Sequence, residues 1–356
     1  MIKVNSTKIL TSGVLSSSKL KRDSAIDFSR GIVIISIIFI HTTFFSGIYY
    51  VPYFLRQMSL LLDVPAFFFI SGMTFCIKPF SITKSITRII VIFTLAVVFH
   101  DLIFQIAPWK NVFLTMTLHT PKLHYWPVLS YSYWFAPVYV VIIIIAPIML
   151  QIKNPLIPSG ILIFYYLIVY FTPQLSVKMN DMSILGVNIN YVFFYSSFFL
   201  LGYWVYSRFN KIPQVILHIS ILIIGLLLYF LSYLKGGQLI FDLQKNKFPP
   251  QLPYVAASFI SLSLVIFFIF ISRHLKTPKT IVHIGRYAIF YYVGQGVGGS
   301  VILFLQTKGY IGIESWILKL PIMFSINIII SFIYAEFFRY IYYKISSFLP
   351  ESLLKI

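Results

Sequence analysis

The feature that most limits what this chain can fold into is a series of long apolar runs, about ten of them, each near the roughly 20 residues a helix needs to cross a bilayer. Bounded by charge, Pro or Gly, they fall at 29–49, 58–77, 88–107, 131–150, 158–174, 190–207, 213–234, 253–272, 284–305 and 317–343. Backbone groups in lipid must be satisfied internally. Continuous runs without strand-like alternation do this as helices, not as a barrel. Only 10% of the residues are charged, against about 25% in a soluble domain. The expected fold class is all-α, a polytopic integral membrane protein of about ten transmembrane helices.

Charge placement sets the expected orientation. With the N-terminus inside, 19 of the 28 Lys and Arg fall on inner segments, the bias that marks a cytoplasmic side. An even number of spans then returns the C-terminus to the cytoplasm. The formal net charge of +19 reads as this topology signal and not as a nucleic-acid footprint, because it is divided among loops between apolar spans. The expected organisation is a cytoplasmic tail at 1–25, a membrane domain at 26–345 and a second cytoplasmic tail at 346–356. The first tail carries Lys3, Lys8, Lys19, Lys21 and Arg22 among serines, without the apolar core of a signal peptide. Cys76 is the single cysteine, which excludes an internal disulfide, and no cluster has metal-ligand spacing. Outer loops at 108–130, 175–189 and 235–252 are rich in Pro, aromatic and amide residues. They offer the face on which an extracytoplasmic ligand would dock.

Ionisable residues at membrane depth are costly and face a protein interior or a wet cavity. Arg30 and His41 are the only charged or imidazole side chains between Asp27 and Arg56. At a rise of roughly 1.5 Å per residue, His41 lies ~16 Å deeper than Arg30. Asp63, on the second span, reaches a similar depth from the opposite direction. A carboxylate bonded to one imidazole nitrogen would fix the tautomer of His41 and raise the basicity of the other nitrogen. His100-Asp101 is a second candidate pair; either pair is otherwise a buried structural hydrogen bond. Arg30, Lys84, Arg88 and Arg286 gather at inner span ends. They read as topology anchors or as a site for a cytosolic anion held by charge-assisted hydrogen bonds. Glu336 and Arg339, three apart on the last span, are an expected local pair. Trp126 and Trp134, near the outer face, are candidates for stacking on sugar rings.

Several segments, taken in order, carry a resemblance. Asp27 and Arg30 stand in an Ile-Asp-x-x-Arg opening, with His41 after ten further residues. Asp63-Val64-Pro65-Ala66-Phe67-Phe68-Phe69-Ile70-Ser71-Gly72 contains Pro-x-Phe-Phe-Phe-x-Ser-Gly, and Tyr133-Trp134-Phe135 supplies a Trp-Phe opening of the fourth span. Phe198-Phe199-Leu200-Leu201-Gly202, Lys247-Phe248-Pro249-Pro250 and the block from Gly285-Arg286-Tyr287 to Tyr292 follow. Together these resemble the acyltransferase family 3 membrane proteins, which O-acylate surface glycans. Two positions depart from the family pattern: Gln295 stands where many members carry His, and Ser85 replaces the first residue of an Arg-x-x-Arg pair whose second is Arg88.

The resemblance implies acyl transfer from cytosolic acetyl-CoA, as co-substrate, to a hydroxyl of a carbohydrate or lipid-linked glycan, in the cell membrane and without a metal. It assigns the chemistry to His41, as general base or acyl carrier, with Asp63 orienting it. Arg30, Lys84 and Arg88 are expected to hold the coenzyme phosphates, with Ser71 and Gly72 beside the donor track. Trp134, Lys247 and Asp101 are expected on the acceptor side. The rival class is a transporter or flippase of a glycan lipid, which also needs midplane polar groups; a non-catalytic membrane partner is a third.

Overall fold

A computed structural model describes residues 22–47, 50–79, 81–107, 109–152, 154–172, 182–184, 186–237 and 241–347. Most of both expected tails and most of the 175–189 loop lie outside the described residues. The helices are α1 (Ser24–Phe45), α2 (Tyr53–Ser59), α3 (Val64–Ile77), α4 (Ile82–Ile103), α5 (Trp109–Met116), α6 (Pro127–Ser132) and α7 (Phe135–Met149). They continue with α8 (Leu156–Phe171), α9 (Ile189–Arg208), α10 (Gln214–Gly236), α11 (Leu252–His274), α12 (Lys279–Arg286), α13 (Ala288–Thr307) and α14 (Trp316–Ser346). One short antiparallel hairpin pairs Ser183–Ile184 with Val187–Asn188.

Among the described residues, eight helical spans are long and apolar enough to cross a membrane. The expected fifth span is α8, apolar but only 16 residues long. The expected sixth is α9, 20 residues whose tyrosines and serines hold it below the hydropathy of those eight. Exposed apolar side chains such as Ile216, Ile223, Leu227 and Phe230 on α10, or Ile329 and Ile333 on α14, form the lipid-facing belt. In water such patches would be interaction or aggregation surfaces.

Two expected spans are broken. The second, 58–77, divides into α2 and α3 around Leu60–Asp63. The fourth, 131–150, divides into α6 and α7 around Tyr133-Trp134. Proline placement accounts for the first restart: Pro65 occupies the first turn of α3, where its missing N–H costs nothing. Irregular backbone at membrane depth is tolerated where it is buried in protein or lines a cavity. Asp63 and Trp134 both sit in such breaks.

α1 is the central helix, packed against α2, α3, α11, α12, α13 and α14. Asp23 caps it by accepting from Ala25 N at 2.9 Å, and Asp27 in its first turn suits the helix dipole. Lipid gives little hydrophobic drive for helices to associate, so close backbone contact at small residues matters more. Two such crossings use the motif glycines. A Cβ on Gly72 would lie 1.9 Å from Phe199 O, and one on Gly202 would lie 2.0 Å from Phe69 O, so α3 and α9 touch backbone to backbone. A Cβ on Gly31 would lie 2.1 Å from Ile281 O, and one on Gly285 would lie 1.7 Å from Asp27 O, which seats α12 on α1 in the same way.

Candidate active site

The break before α3 presents Asp63, only 3% exposed, to a loop almost two hundred residues away. Lys247, itself 7% exposed, donates from Nζ to Asp63 Oδ2 at 2.6 Å, and Tyr254 of α11 donates to the same oxygen at 2.7 Å. The ammonium lies over three rings, 5.7 Å from Trp134, 5.3 Å from Phe248 and 5.9 Å from Tyr254. Trp134 is held by Tyr191, Tyr195 and Phe248. A buried lysine thus has one carboxylate and an aromatic wall as partners, the kind a buried cation requires.

His41 faces this group from α1. The charges that act on it are Lys247 and Asp63. Its neighbours fix the rotation of the helix. Asn327 of α14 donates to Ile38 O at 3.2 Å and to Thr42 Oγ1 at 3.0 Å. With Thr42 turned to α14, the ~100° step between successive helical residues turns His41 away from α14. The expected Asp63–His41 hydrogen bond is not formed. Asp63 Oδ2 accepts from Lys247 and Tyr254 instead, and His41 Nδ1 is buried without a partner. The reason is competition: a lysine ammonium is a stronger partner for a buried carboxylate than a neutral imidazole.

Gln295 lies near the same depth on α13. It is fully buried, donating weakly to Ser132 Oγ at 3.4 Å and leaving Oε1 without a partner. Tyr292, one turn earlier, donates to Ser132 O at 2.9 Å and feels the Asp63 charge.

The other end of α1 is a different kind of cluster. Arg30 donates from Nη1 to Asp27 Oδ1 at 3.0 Å and to Gly285 O at 3.2 Å, and from Nη2 to Thr74 Oγ1 at 2.6 Å. It therefore ties α1 to α3 and α12. Asp27 also takes Arg22, at 2.5 and 3.0 Å, and Arg22 donates to the backbone O of Arg286 at 3.2 Å. Arg30 and Arg88 both act on the Tyr139 hydroxyl, which lies against Ser71. Arg88 Nε is buried without a partner. Arg30, Arg88, Ser71 and Tyr139 thus form one group; nothing ties Lys84, at the start of α4, to it.

Three further candidate residues sit in packed surroundings. Gly72 faces the α9 backbone and not a donor track, because the helix crossing leaves no space above it. Asp101 is fully buried rather than on the acceptor face: it bonds His100 Nδ1 at 2.7 Å and Asn111 Nδ2 at 3.4 Å, and Asn111 accepts from Lys122 N. Trp126 is 4% exposed and is packed among Phe99, His100, Phe104 and Tyr334, with an edge on a cavity of about 360 Å³ that it shares with His124, Tyr125 and Phe304. The Glu336–Arg339 pair is formed, and His283 and Tyr291 also bond Glu336 at 2.8 Å each.

A family model described as an acyltransferase domain, of acyltransferase family 3, matches residues 23–336, from the α1 cap to Glu336 on α14. The chain belongs to that family. No curated protein and no solved structure matches it. The acyltransferase is a multi-pass membrane protein whose matched region holds every charged residue of both clusters except Arg22.

Proposed function

We propose that this acyltransferase moves an acyl group, acetyl foremost, from cytosolic acyl-CoA to a hydroxyl of an extracytoplasmic or lipid-linked glycan at the cell membrane. The observation that carries this reading is a buried imidazole without a hydrogen-bond partner at Nδ1, facing a caged lysine in a member of an acyltransferase family. His41 takes the proton of the attacking hydroxyl as the thioester C–S bond breaks and the ester C–O bond forms. The proton then passes to the departing coenzyme thiolate. Lys247 offers positive charge to the carbonyl oxygen as it becomes an oxyanion, and Asp63 keeps Lys247 in position. Trp134 and Phe248 line the acceptor side. At the opposite mouth, Arg30 Nε and the Arg88 guanidinium are offered to the coenzyme phosphates. The protein in lipid nanodiscs, given acetyl-CoA and a glycan lipid, is expected to release free coenzyme thiol and to add an acetyl mass to the glycan.

A second reading has an observation of its own. Helices broken at membrane depth also build transporter sites. Movement of labelled glycan lipid across proteoliposomes without any acyl donor, together with absent thiol release, would replace acyl transfer by translocation.

A further inference from the structure

On α14 the side chains of Lys319, Met323, Asn327, Ser331 and Ala335 repeat every fourth position and are all buried. This stripe faces inward, because Ile317 and Leu318 are turned out, 62% and 61% exposed. The Lys319 residue is only 7% exposed, on the face that packs toward α1. Its ammonium stands 4.6 Å from the ring centre of Tyr50, just past the end of α1. No carboxylate among the described residues pairs with it.

The position is unfavourable by two separate rules. Lys319 lies at the positive end of the α14 dipole, and a buried cation without a counter-ion is costly. Neither helix formation nor packing calls for a lysine there. Further polar groups lie at the same end of α1. Ser46 and Tyr50 share a hydrogen bond at 2.5 Å, and the Gln306 side chain lies against Gly47 with Oε1 buried and without a partner. Asn327, eight residues further along the stripe, bonds Thr42 beside His41. The cluster thus stands ~12 Å beyond His41 along the helix axis.

We infer that Lys319, with Tyr50 and Gln306, is a subsite for an anionic group on the acceptor, so that the acceptor is an acidic glycan or one borne on a phosphate. The ammonium supplies the missing ion pair, and the Tyr50 hydroxyl and Gln306 amide supply hydrogen bonds to adjoining hydroxyls. The inference rests on the acyl-transfer reading for what the acceptor is used for, but not for whether it binds.

The test is therefore equilibrium binding to purified protein, without acyl donor. The probes are hexagalacturonate, maltohexaose, and a neutral oligosaccharide on polyprenyl pyrophosphate. Hexagalacturonate, or the pyrophosphate-linked glycan, is expected to bind at least about tenfold more tightly than maltohexaose, the scale of one charge-assisted contact. Whichever of the two shows the advantage identifies the anion as carboxylate or phosphate. Lys319→Met, which keeps the buried stem, should abolish the advantage; Lys319→Arg should restore part of it, and Lys308→Met, at an exposed lysine nearby, should leave it intact. Equal binding of all three probes, or an advantage that survives in Lys319→Met, overturns the inference. Should Lys319→Met fail to fold, carbodiimide coupling of hexagalacturonate to the native protein decides for the carboxylate, and a photoreactive pyrophosphate probe decides for the phosphate. Attachment in the segment around Lys319 and Tyr50 supports the subsite; attachment only elsewhere removes it. A binding preference without acetyl transfer would sink the enzymatic reading and leave this one standing.

Discussion

The two ends of α1 carry cations in opposite circumstances. At the Arg30 end, three hydrogen bonds to Asp27, Thr74 and Gly285 join three helices, so most of the guanidinium is committed to the fold. At the Lys247 end, the ammonium has one carboxylate and three rings, and the imidazole beside it has a nitrogen with no partner at all. Buried polar groups are almost always satisfied, so an exception marks a place where something other than folding sets the chemistry. Arg88 Nε, at the Arg30 end, is likewise buried without a partner, so the contrast lies in the cations: Arg30 is spent on joining three helices, whereas Lys247 is held by a single carboxylate and aromatic faces.

The sharpest way to break that contrast is at His41. His41→Ala should retain the fold and lose acyl transfer by 10²-fold or more, roughly the contribution of a general base; near-normal turnover, measured as thiol release, would end its catalytic assignment. Next come the caged partners. Lys247→Met and Asp63→Asn should each destabilise by about 3–5 kcal/mol, because each strands a buried charge or donor, while the double variant should regain much of the stability and none of the activity. Thermal unfolding in detergent reads this, and additive losses would mean that the two do not act as a pair. Gly72→Ala should cost about 1–3 kcal/mol or more by prising α3 from α9, with the donor KM unchanged in whatever protein survives; a selective rise in donor KM would return Gly72 to the donor track. Arg30→Ala is predicted to lower the unfolding temperature and raise the donor KM about tenfold, with Arg30→Lys recovering charge but not the two-armed geometry. A stability loss with donor KM unaltered would leave Arg30 as a clasp alone. Smallest of all, Lys84→Ala should shift stability by less than about 0.5 kcal/mol and leave the donor KM within about twofold; a larger KM change would extend the anion site to the start of α4.

Much of the site was legible because membrane sequences make polar residues conspicuous. Arg30, His41 and Asp63 stand out in apolar runs, and Trp134 and Lys247 lie in recognisable motifs. Pro65 was the signal for the break that frees Asp63, and it was there to be read. Outer depth in a sequence does not tell how Asp101 is partnered; the structure gives it to His100 and Asn111. Lys319 could not be placed from the sequence, since one lysine near a span end carries no sign of which way it turns.

What the sequence determined by itself was the solvent and the architecture. Long apolar runs admit only helices in lipid, and the depth of His41 below Arg30 follows from the helical rise. The tertiary structure decided the pairings. Asp63 meets Lys247 across 184 positions rather than His41 across the membrane gap. An ammonium is the stronger partner for a buried carboxylate, but only the bundle decides that the loop carrying Lys247 comes within reach of Asp63.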